Sequence, residues 1–63
     1  MKDFSAILKE LRNKKNISQE ELGIIVHFSR SSIAKYENGL GLPSEEVIAS
    51  LCSYFDVQRL FIS

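Results

Sequence analysis

Ser29, Arg30, Ser31 and Ser32 stand side by side, with Lys35 one helical turn further on. Grouped serines could offer a nucleophile. A serine attacks only when a neighbouring base takes its proton, and no base stands in this pattern. The hydroxyls therefore do not read as nucleophiles, and Ser29 reads as a helix cap. Glu20-Glu21 and Glu45-Glu46 look like paired carboxylates of acid–base chemistry. Each pair falls in the first turn of an expected helix, where the dipole favours negative charge. His27 and Cys52 lack the further ligands that a zinc site needs. Cys52 lies on an apolar helix face and reads as a small core residue. No nucleophile, base and oxyanion donor come together, so the chain is expected not to be an enzyme and to need no cofactor or metal.

The elements that must position these groups lie between Ser18 and Gly39. Ser18 with Glu21 is a capping box, a serine oxygen and a carboxylate closing the start of a helix. Leu22, Ile25 and Val26 give the spacing of a helix that buries one face. His27 and Phe28 interrupt it, and Ser29 is a second N-cap. From Arg30 to Asn38 the apolar positions are Ile33, Ala34 and Tyr36. Gly39 closes this helix, since it enters the left-handed region without a Cβ clash. A short helix, a tight turn and a second helix with a polar face is the layout of a helix-turn-helix unit.

The rest of the chain supplies the support. Phe4, Ile7, Leu8 and Leu11 form one apolar stripe on a first helix, capped by Asp3 and ended by Asn16. Pro43 bars continuation of the preceding helix. Ser44 caps a helix carrying Val47, Ile48, Leu51 and Phe55, and one or two further turns follow Val57. The expected helices are about 4–15, 18–26, 29–38, 44–55 and 58–62, in one domain over 1–63. At 63 residues the core is small, and a partner subunit would add stability. Nothing approaches the roughly 18 apolar residues of a membrane span. No signal segment opens the chain, and the lone cysteine fits a reducing compartment, so a cytoplasmic location is expected. The net charge is +0, unusual for a nucleic-acid binder. Lys2, Lys9, Arg12, Lys14 and Lys15 crowd the front, while Glu45, Glu46 and Asp56 weight the back.

These residues resemble a known family. Leu11-Arg12, Ile17 to Leu22, Phe28 to Ile33, Tyr36-Glu37-Asn38-Gly39, Pro43-Ser44 and Phe55-Asp56-Val57 are similar to the phage repressor/Cro-like helix-turn-helix, or XRE, family. The resemblance covers nearly the whole chain. It implies an all-α, compact five-helix, lambda-repressor-like DNA-binding domain whose third helix lies in the major groove. It implies base contacts from Arg30, Ser31 and Lys35, since a guanidinium can bond both O6 and N7 of a guanine. It implies backbone contacts from Ser18, Gln19, Ser29, Ser32 and Asn38. Arg12 and Glu37 are expected to pair internally rather than meet DNA.

Several positions depart from the family pattern. Gly23 replaces a usual alanine, and His27 replaces a common glycine. Ile24 and Ile25 replace polar residues. The loop Leu40-Gly41-Leu42 lacks its usual cation. Leu40, Leu42 and Phe61 are therefore candidates for a two-fold dimer contact. The expected function is a sequence-specific transcriptional regulator, a repressor binding a palindromic double-stranded DNA operator as a homodimer. The alternative is a protein-interaction module on the same scaffold, such as an antitoxin that binds a toxin and its own operator.

Overall fold

The computed structural model describes residues 3–41 and 43–57. They form four helices: α1 (Phe4–Lys14), α2 (Gln19–Ile25), α3 (Arg30–Glu37) and α4 (Glu45–Phe55). There is no strand among the described residues. The expected fifth helix at 58–62 lies outside them, as do Leu42 and Phe61.

Every helix starts on a side-chain cap. Asp3, Ser18, Ser29 and Ser44 accept from the backbone N–H of Ala6, Glu21, Ser32 and Val47. At Ser18 the exchange is reciprocal, because its own N–H donates to Glu21 Oε1 at 3.0 Å. The caps stand outside the helices they start. For this reason α2 and α3 are shorter than the periodicity predicts.

The helix ends share one device. Ile17, Phe28, Leu40 and Val57 each donate a backbone N–H to the carbonyl five residues earlier: Arg12, Gly23, Lys35 and Cys52. The residue before each donor is left-handed: Asn16 (φ 56°), His27 (φ 63°), Gly39 (φ 72°) and Asp56 (φ 57°). This is the Schellman closure, which satisfies carbonyls that the helix leaves open. It closes all four helices, and only one of the four left-handed residues is glycine.

The core gathers Leu8, Leu22, Val26, Ile33, Val47, Leu51, Cys52 and Phe55. Leu8, Leu22, Ile33 and Leu51, one from each helix, are sealed completely from solvent. Burial of Cys52 raises its thiol pKa. Ile25 departs from its expected place. Its spacing groups it with Leu22 and Val26, but it is 39% exposed. A seven-residue helix offers a narrow inward stripe, and Leu22, Gly23 and Val26 occupy it.

Candidate nucleic-acid interface

The α2–α3 turn is unusually close. Phe28 N–H donates to the Gly23 carbonyl at 2.6 Å. A Cβ on Gly23 would stand 2.6 Å from the Phe28 carbonyl oxygen and 3.1 Å from the Ser29 carbonyl carbon. Only a residue without a side chain lets the turn lie against α2 in this way. The turn in turn fixes the start of α3.

On α3, Ile33 and Glu37 point inward. Arg30, Ser31, Lys35 and Asn38 are exposed on the outside, and Ser32 is half-buried. Among the described residues nothing covers the side that carries Arg30, Ser31 and Lys35. The serines next to them are partly committed. Ser29 Oγ accepts from Ser32 N–H, and the two hydroxyls lie 3.1 Å apart. Ser18 Oγ is likewise taken by its cap to Glu21 N–H.

Arg12 and Glu37 meet as the resemblance implies. Arg12 Nε donates to Glu37 Oε2 at 2.6 Å and Nη2 to Oε1 at 3.1 Å. The Glu37 side chain is 1% exposed. Its hydrogen bond to the guanidinium raises the Arg12 pKa. Two further partners were not legible in the sequence. Arg12 Nη1 donates to the Ile17 carbonyl at 2.7 Å, and Gln19 Nε2 donates to Glu37 Oε1 at 3.2 Å. The buried carboxylate thus joins α1, α2 and α3, and three donated hydrogen bonds offset its loss of water.

Ser18, Gln19 and Arg30 line one surface hollow with Arg12 and Glu20. Glu20 sits there as an exposed carboxylate among candidate DNA-facing groups; the sequence suggested only its role at the helix dipole. Lys15 turns elsewhere. Its ammonium lies 5.0 Å from the centre of the Tyr54 ring, a cation–π contact with α4. Of the candidate dimer residues, only Leu40 is among those described, and it is 71% exposed. Ile24 is 69% exposed.

Two capped helices, a tight turn and an uncovered polar face on the second helix define a helix-turn-helix protein. A family profile described as "Helix-turn-helix" matches residues 8–62, and the chain belongs to this XRE-type helix-turn-helix family. It is 36% identical over 55 residues to the HTH-type transcriptional activator BcrR of Enterococcus faecalis, covering 87% of this chain and 27% of that protein. It is 40% identical over 55 residues to the antitoxin PezA of Streptococcus pneumoniae, covering 87% of this chain and 35% of that protein. The chain therefore spans about a quarter to a third of these curated relatives. The P22 c2 repressor, solved in complex with a synthetic operator, has the same fold. The TM-score is 0.93 at 21% identity, over 98% of this chain and 94% of that one. Among the described residues no helix is long and apolar enough to cross a membrane.

Proposed function

We propose that the chain is a sequence-specific regulator, a repressor that binds a palindromic operator as a homodimer with α3 in the major groove. The observation that carries this reading is the uncovered side of α3 bearing Arg30, Ser31 and Lys35. Arg30 reads a guanine edge, and Ser31 and Lys35 contribute weaker base contacts. Gln19 and Asn38 contact phosphates, with Ser18, Ser29 and Ser32 beside them. All five of these backbone contacts are uncharged, so the affinity falls only gently as salt rises. Leu40, with Leu42 and Phe61, forms the two-fold contact between subunits.

Selection of bound duplexes from a random pool tests the reading. A repeated half-site, with centres about one helical turn apart, is expected. Recovery of unrelated sequences would sink it. Sedimentation of the free protein tests the dimer, which a concentration-independent monomer would overturn.

A second reading has its own support. The exposed Ile24 and Leu40, the zero net charge and the similarity to an antitoxin favour a protein-interaction module with weak DNA binding. The same selection separates the two. A module of that kind would show little preference between selected and random duplex.

A further inference from the structure

We infer that Glu37, beyond tying the helices together, is a positioning residue for the DNA-backbone contact at Gln19. The inference rests on the DNA-binding reading above. A carboxylate can only accept hydrogen bonds. The end of the Gln19 side chain that faces Glu37 is therefore the amide nitrogen, which donates to Oε1 at 3.2 Å. That contact dictates which way the amide oxygen faces. It leaves the second N–H of the same nitrogen for another acceptor.

Glu37 cannot drift to follow a mobile glutamine. Both of its oxygens hold the Arg12 guanidinium, at 2.6 and 3.1 Å. Arg12 is itself pinned to the Ile17 carbonyl. A glutamine on the surface has many rotamers to lose when it binds. Here the rotamer is selected before a phosphate arrives, so less ordering remains at binding. Gln19 lines the same hollow as Arg30, so the amide is set beside the first residue of the reading helix.

The test is a double-mutant cycle on DNA affinity, measured by anisotropy of a labelled selected duplex well below the melting temperature. Gln19→Ala is expected to weaken binding about tenfold in the wild-type background, as loss of a hydrogen bond to a charged group does. In the Glu37→Met background the same change is expected to cost less than about twofold, because no side-chain acceptor at that position holds the amide. Equal losses in the two backgrounds would overturn the inference. No loss in either would overturn it too, while Arg30-dependent sequence preference would leave the DNA-binding reading standing. Absence of any sequence-preferring binding by the wild type would sink both.

Should Glu37→Met fail to fold, proton–nitrogen NMR of the wild type decides. One Gln19 side-chain amide proton should exchange with water more slowly than those of the exposed Asn13, with and without duplex. Equal exchange would overturn the inference.

Discussion

The carbonyl oxygen of Phe28 lies 2.6 Å from the point where a Cβ on Gly23 would stand. Helix propensity alone favours alanine over glycine at this buried α2 position by up to about 1 kcal/mol. The contact reverses that preference, because the obstacle is backbone that already donates to the Gly23 carbonyl. Gly23→Ala is expected to lower stability by about 1–3 kcal/mol, the usual cost of overpacking. Urea unfolding measures it, and a raised midpoint would refute the reading of the turn.

His27 carries the opposite expectation. It is exposed and left-handed, with φ 63°, a conformation that costs a residue with a Cβ roughly 1–2 kcal/mol. Glycine relieves this but gains freedom in the unfolded chain. His27→Gly should therefore raise stability by no more than about 1 kcal/mol, visible as a higher melting temperature. A lower one would mean that the imidazole makes a stabilising contact.

Arg12 and Arg30 should separate stability from recognition. Arg12→Ala strands the buried Glu37 carboxylate, and breaking such a pair costs about 3–5 kcal/mol. Arg30 is exposed, and its removal should leave the melting temperature almost unchanged. Arg30→Ala should instead cost about 1–3 kcal/mol of binding at one base position and relax the preference there. Equal melting temperatures for the two variants would refute the division of roles.

Asp3 should make the start of α1 sensitive to acid. Its carboxylate accepts from Ala6 N–H at 3.1 Å and Ser5 Oγ at 2.9 Å. The Ala6 bond, then the Ser5 bond, hold its pKa below the usual aspartate range. A depressed pKa gives stability that is present above the unfolded value and lost as pH falls through the folded one. The stability difference between wild type and Asp3→Ala should thus be full above the ordinary aspartate range and shrink as pH falls below it, through the depressed folded value. A difference independent of pH would refute the cap's charge.

Much of the frame was legible because it is local. Asp3, Ser18, Ser29 and Ser44 cap by rules that involve only the next three residues. Asn16 and Gly39 were expected at helix ends, and both have positive φ. The Arg12–Glu37 pair came from resemblance rather than spacing, since nothing local joins residues so far apart. The second donor to Glu37 escaped the sequence for the same reason. Gln19 looks like a free surface amide until α3 is folded behind it. Gly23 stood out in the sequence only as a departure from a usual alanine, because the distance to Phe28 depends on how tightly His27 turns the chain. Ile25 misled because an apolar period on a short helix does not say how wide the buried stripe is. Leu42, Phe61 and the expected helix at 58–62 lie outside the described residues.

Leu8, Leu22, Ile33 and Leu51 each come from a different helix. No pair of neighbouring helices thus owns a complete interior. Cutting the chain before α4 would leave three greasy side chains without their lid. The helix-turn-helix pair is consequently not a portable unit, and grafting it elsewhere requires a host that supplies the missing walls.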